Sequence, residues 1–173
     1  CDLMQITSHM GARPSHAVWQ GRIVSLSGQS GYLSQNDIGY GTGPGFKGWN
    51  CRHDWYPYIE GVSFSTAEIY DLDENRAVYE ATQEQRKLAR RVRASKRACV
   101  ADRAAIEAAK DPQLQAQLVR QLERDATQLK KRQEALTEFV GGYRSPIGGQ
   151  LVRYSYRERV QDFDKVLARK MRE

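Results

Sequence analysis

The chain has 173 residues, 28% of them charged and 40% hydrophobic, which suits one domain of ordinary size or a small domain with a helical extension. No apolar run approaches the roughly 20 residues that a membrane span needs, so the sequence predicts no membrane partner. The net charge of +6 is a mild basic excess that fits proximity to nucleic acid or to an acidic partner and demands neither.

In chain order, the first residue is Cys1, with no initiator methionine and no signal-like segment after it, so the sequence reads as a fragment or a processed form. Leu3–Thr7 and Arg22–Leu26 read as short strands, each with β-branched residues and a turn signal at one end. Ser15–Gln20 suits one helical turn with Ser15 as its cap. From Ser27 to Gly48 the chain is mostly Gly, Ser, Asn, Asp and Tyr, the composition of a long loop. Ten of the fourteen glycines, all three tryptophans and all three histidines lie at or before Gly61. This composition marks a turn-rich head.

From about Asp73 to Ala109 there is neither Gly nor Pro, and helix formers dominate. Val78, Ala81, Gln85, Leu88, Val92, Ser95, Cys99, Asp102 and Ile106 alternate at spacings of three and four, a heptad seam diluted by four polar members. Asp111-Pro112 breaks this helix and starts another, with Asp111 as cap and Pro112 at the first helical position. Leu114, Leu118, Leu122, Asp125, Leu129, Leu136 and Val140 mark its inner side, and Gly141-Gly142 ends it. Beyond lie an alternating stretch from Leu151 to Tyr156 and a short helical pattern through Val160, Phe163, Leu167 and Met171. The expected class is therefore α+β. A small, irregular, β-containing, glycine-rich head domain (1–63) precedes a long antiparallel helical hairpin (64–140) and a C-terminal strand and helix (141–173).

Three groups could carry chemistry. Gly39–Gly48 has the glycines of a phosphate loop, but Lys47 is followed by Gly48 and not by Ser or Thr, and no long apolar strand leads in. Cys51 and His53 are zinc-competent, and His9 and His16 could complete a tetrahedral set; the competing reading is a thiol and imidazoles bracing a loop. The three cysteines, Cys1, Cys51 and Cys99, are odd in number and widely spaced, unlike a disulfide framework. A catalytic reading would use two histidines as acid and base with Lys47 or Arg13 stabilising developing charge, or Cys51 as a nucleophile; no spacing requires either. Arg86, Lys87, Arg90, Arg91, Arg93, Lys96 and Arg97 put seven positive charges in twelve residues without an acid. Arg86, Arg90, Arg93 and Arg97 share one helical face that could track a phosphate backbone, or be a solvated face balanced by Glu123, Asp125 and Glu134.

The segments His9–Gly28 and Tyr40–Ser63 resemble the phage minor capsid protein 2 family, related to the Mu F-like head morphogenesis proteins. The Mu F-like pattern has Arg-x-x-His, a short Asp-Gly turn, and later Asn-Cys-Arg-Cys before a strand and a proline. Here Arg13-Pro14-Ser15-His16 matches the first part, with Gln20-Gly21 where Asp-Gly is usual. Gly48-Trp49-Asn50-Cys51-Arg52 matches the second, His53 replaces the second cysteine, and Pro57 follows. Thr82-x-x-Gln85-Arg86 and Arg93-x-x-Lys96-Arg97 resemble the helical segment that comes next.

The resemblance implies a low-copy structural head protein, not an enzyme. It would sit in the virion after assembly in the host cytoplasm, with the portal and other head proteins as partners. Packaged double-stranded DNA and a second copy of the hairpin are candidate partners too. On this view His9, Arg13, His16, Trp19, Trp49, Cys51, Arg52 and His53 form a structural clasp, with zinc the one candidate cofactor. A DNA-binding module reading through Arg86, Arg90, Arg93, Lys96 and Arg97 and a histidine-based nuclease or hydrolase are the alternatives.

Overall fold

In the computed structural model, residues 1–65 and 67–142 are described. The chain is α+β, with four strands and a short helix at the N-terminal end followed by two long helices. It divides into two compact units, the first from Cys1 to Ala81 and the second beginning at Thr82. The strand and helix expected within 141–173 fall outside the described residues.

The sheet of the first unit has the order β3-β2-β1-β4. β1 (Leu3–Ile6) is central, antiparallel to β2 (Ile23–Ser25) with Met4 opposite Val24, and antiparallel to β4 (Trp55–Pro57) with Gln5 opposite Tyr56. β3 (Leu33–Ser34) runs parallel to β2, and Val24 faces Leu33. β4 lies on the edge, where Pro57, which has no N–H to donate, is tolerated. The expected strands stand at β1 and β2, each slightly shorter than the sequence suggested. β3 arises inside the 27–48 stretch that read as loop, and β4 stands where the resemblance implied a strand before a proline, with Pro57 as its last residue.

Alternation along β1 and β2 turns Ile6 and Val24 inward, where they join Trp19, Ile38 and Phe46 in one apolar cluster. Leu33, Cys51 and Trp55 pack against its margin. The Phe46 ring lies 5.9 Å from Trp19 edge-on and 4.6 Å from Trp55, geometries that add to simple area burial. Gln5 is buried among these strands with its amide satisfied: it accepts from Tyr56 Oη at 3.1 Å and donates to Gly21 O and Ser65 Oγ.

The glycine-rich segment is a chain of hydrogen-bonded turns. Phe46 N–H donates to Ile38 O at 2.9 Å, Trp49 N–H to Gly43 O at 2.6 Å and Cys51 N–H to Gly48 O at 3.1 Å. Close backbone approach explains two of its glycines. A Cβ on Gly45 would lie 1.9 Å from Gly39 O, and one on Gly48 would lie 2.2 Å from Gly43 O.

Helix α1 (Pro14–Ala17) starts with Arg13 as its N-cap and Pro14 within its first turn, so Ser15 is not the cap that its residue type suggested. Helix α2 (Leu72–Ala108) is capped by Asp71, whose Oδ1 accepts from Asp73 N–H at 2.9 Å and Glu74 N–H at 3.0 Å. Its first turns belong to the first unit and carry Asn75, which is 1% exposed. Asn75 Oδ1 accepts from the N–H groups of Gly11 and Ala12 at 2.9 and 3.0 Å, and Nδ2 donates to Ala12 O at 2.8 Å.

In the second unit α2 meets α3 (Pro112–Gly142), which Asp111 caps by accepting from Gln113 and Leu114 N–H. Gln115 Nε2 donates to Ala109 O at 2.7 Å near the turn, and Arg132 Nη1 reaches Ser95 Oγ at 2.7 Å further along, so the two helices run antiparallel. Val92, Ser95 and Cys99 of the expected seam are buried. On α3 the expected inner residues are half-buried except Leu114, which is exposed. Arg132 joins that line one helical step after Leu129 and supplies the donor that the buried Ser95 hydroxyl requires. Among the described residues no helix is long and apolar enough to cross a membrane.

Candidate functional site: a buried histidine and cysteine cluster

Three segments converge beside the sheet. Thr7 N–H donates to Asp54 O at 2.8 Å and Asp54 N–H donates to Thr7 Oγ1 at 2.8 Å. This pairing continues the β1–β4 ladder by one step and brings Cys51-Arg52-His53 alongside His9. Helix α1 contributes His16. Trp19 and Gln20 follow on the next turn, where Gln20 N–H donates to His16 O at 3.0 Å. Lys47 and Asn50 take φ values of +59° and +55°, reversing the chain before Cys51. Asn tolerates that region better than most residues, and Lys47 does so at some cost.

His16 and His53 are 2% and 3% exposed. His16 Nε2 lies 2.8 Å from Pro44 O, and His53 Nε2 lies 3.2 Å from Gln20 Oε1. Both partners are acceptors, so both imidazoles carry their proton on Nε2 and leave Nδ1 with a lone pair. Cys51 Sγ lies 3.8 Å from His53 Nδ1, and a ligand atom from each of His16, Cys51 and His53 lies within 4.8 Å of the others. His9 stacks on His53 with ring centroids 4.4 Å apart and planes 22° from parallel, and the Trp19 ring meets His53 edge-on at 4.9 Å. Gln20 Oε1 also accepts from His9 N–H at 3.0 Å, so one amide oxygen serves two segments.

Burial removes the water that would solvate an imidazolium, and the neighbouring His9, His16, Arg52 and Arg13 oppose a further positive charge. Together they push His53 down to about 3. His9 and His16 are lowered chiefly by burial as well, each against one hydrogen bond to a backbone carbonyl. The three imidazoles are therefore neutral at physiological pH.

The structure gathers His9, His16, Trp19, Cys51 and His53. Arg13 joins through its guanidinium, whose Nη2 donates to the Trp49 carbonyl at 2.5 Å. Two side chains stand apart from the expected packing. The Trp49 ring is 77% exposed and lies over Gly43, and Arg52 is exposed. Trp49 thus ties the loop down through its backbone oxygen and not through its indole. Sequence reasoning missed Gln20 and the Pro44 carbonyl. The four-residue spacing from His16 to Gln20 could have flagged the first, but a backbone acceptor leaves no mark on residue type.

The basic run lies on the second unit. Lys87, Arg90, Arg91 and Arg97 are exposed, Arg93 is half-buried, and Lys87 Nζ pairs with Glu84 Oε2 at 3.0 Å. Asp125, one of the acids expected to balance it, accepts instead from Gln121 Nε2 at 2.9 Å and faces Asp102.

The phage minor capsid protein 2 family matches residues 1–141. A structural protein of Lactococcus phage LL-H is 37% identical over 94 residues, 51% of this chain and 25% of that protein. A structural protein of Lactococcus phage mv4 is 44% identical over 62 residues, 36% of this chain and 50% of that protein. The chain thus spans a quarter to a half of the length of these relatives. No solved structure matches it. The match covers the Arg13–His16 and Gly48–Arg52 motifs that form the cluster as well as both long helices, and on that ground the chain belongs to the phage minor capsid protein 2 family.

Proposed function

We propose that the chain is a structural, non-enzymatic component of a tailed-phage head, present in few copies and assembled with the portal and prohead. Family membership supports the setting, and the two curated relatives are themselves phage structural proteins. The observation that carries the structural reading is the state of the cluster. Its two central histidines are buried, each Nε2 is committed to an acceptor within the chain, and Gln20 bridges the His9 and His53 segments. A general base needs reach to a substrate proton. These imidazoles instead hold the glycine-rich loop against α1, so the motif specifies a fold.

The test is complementation of a phage in which this gene is interrupted by an amber codon. Cys51→Ser and His53→Gln variants that fold should restore infectious particles close to the wild-type yield. Folded variants that leave yield at the amber background would instead mark the cluster as the source of a reaction.

A second property rests on the exposed Arg90, Arg91 and Arg97 within a run that has no acid: this helix lies against packaged double-stranded DNA. Counterion release makes such binding fall steeply with salt. No binding at low ionic strength removes the idea.

A further inference from the structure

The cluster has the composition and the proton arrangement of a metal site. Two imidazoles and a thiol offer ligand atoms that all lie within 4.8 Å of one another. Tetrahedral zinc, with bonds of about 2.0–2.1 Å to nitrogen and 2.3 Å to sulfur, requires ligand separations of roughly 3.3–3.6 Å. The His53 Nδ1 to Cys51 Sγ distance of 3.8 Å is already close to that. Ligating histidines characteristically donate their other ring N–H to a carbonyl or carboxylate, which fixes the tautomer and aims the lone pair. His16 does this to Pro44 O and His53 to Gln20 Oε1. The outer hydrogen bonds of a metal site are thus in place around the two histidines.

His9 lies beside this set, and its Nε2 is buried without a hydrogen-bond partner among the described residues. His9 is not a fourth ligand in this arrangement. Its ring stacks nearly parallel on His53, so an ion in the plane of the His53 ring lies well off the plane of the His9 lone pair.

We propose that His16, Cys51 and His53 bind one zinc ion, with solvent in the fourth position and Gln20 and the Pro44 carbonyl holding the two imidazoles in register. The mixture of thiolate and imidazole favours zinc over the harder divalent ions. On binding, the Cys51 S–H bond breaks, the proton leaves to solvent, and the thiolate and two neutral imidazoles donate to the metal. The ion would pin the Gly39–Gly48 loop to α1. The inference concerns the chemistry of the cluster and stands or falls independently of where the chain sits in a phage particle.

The full chain, stripped with chelator, is titrated with Zn²⁺ by calorimetry and with Co²⁺ by absorption spectroscopy. The expected result is one ion per chain, with a thiolate-to-cobalt charge-transfer band. Cys51→Ser should abolish the band and weaken Zn²⁺ binding at least about tenfold, whereas Cys99→Ser should leave both unchanged. Gln20→Leu should weaken binding by about 10–100-fold with the stoichiometry retained. A second measurement needs no variant: Zn²⁺ should protect Cys51, but not Cys1, from alkylation in the wild-type chain, read peptide by peptide. Stoichiometry well below one, a band that survives Cys51→Ser, or Cys51 alkylation at the same rate with and without Zn²⁺ overturns the assignment.

Discussion

Replacing Asn75 by alanine removes three hydrogen bonds at once, and the structure allows the cost to be worked out. The side chain is 1% exposed and satisfies the N–H groups of Gly11 and Ala12 and the carbonyl of Ala12. Gly11 and Ala12 are themselves buried, so water has little access to the groups left behind. Each buried donor or acceptor deprived of its partner costs about 1–3 kcal/mol. With some relaxation, Asn75→Ala should lower stability by about 3–5 kcal/mol, a large share of the 5–15 kcal/mol typical of a domain. Urea unfolding of the full chain, followed by tryptophan fluorescence with Trp19 as the buried reporter, measures this as a fall in midpoint at constant slope. Asn75→Asp keeps the acceptor for the two N–H groups but turns an oxygen toward Ala12 O, so its loss should be intermediate. A loss below about 1 kcal/mol for Asn75→Ala would refute the claim that this side chain locks the 11–12 turn to α2.

Three further outcomes are expected. Gly45→Ala places a methyl 1.9 Å from Gly39 O and should cost well over about 2 kcal/mol or prevent folding. Gly28→Ala, at φ +84° with open space around it, should cost only about 1–2 kcal/mol; equal losses in denaturant titrations would contradict the close-approach explanation. Arg132→Met strands the buried Ser95 hydroxyl and should cost about 1–3 kcal/mol. The double variant with Ser95→Ala should recover part of that loss in a mutant cycle. Asp102 lies on α2 with one carboxyl oxygen buried and unpartnered among the described residues. Burial first, then the hydrogen bond and charge of Asp125, raise it above the usual carboxylate range, with Arg124 opposing. A raised acid contributes stability that is fully present below the unfolded value near 3.8 and is lost as pH rises through the folded value. Asp102→Asn should therefore raise the melting temperature at pH 7 and flatten its dependence between acid and neutral pH; an unchanged profile would remove Asp102 as its source.

How much was legible in the sequence follows from what each feature depends on. β1, β2 and the two long helices announce themselves through local periodicity, and Asp111-Pro112 marks the break between the helices through residue type. β3 is two residues long and exists because Val24 and Ser25 of β2 align with it, a pairing no local pattern encodes. β4 contains Pro57, which usually argues against a strand and is admitted here by its edge position. Within the cluster, Cys51, His16 and His53 were visible as residue types. The orientation of Trp49 was not, because it depends on positive φ at Lys47 and Asn50, two residues with nothing in common but the turn they make. The Pro44 carbonyl was invisible for the same reason that most backbone acceptors are.

The most direct test of a structural role in the phage head is quantitative mass spectrometry of purified proheads and mature virions from the phage or prophage that encodes the chain. A low-copy head component should appear in both particles at a few to a few tens of copies each, in a constant ratio to the portal protein. Absence from both kinds of particle would contradict the account and return the buried histidine cluster to consideration as a site of chemistry.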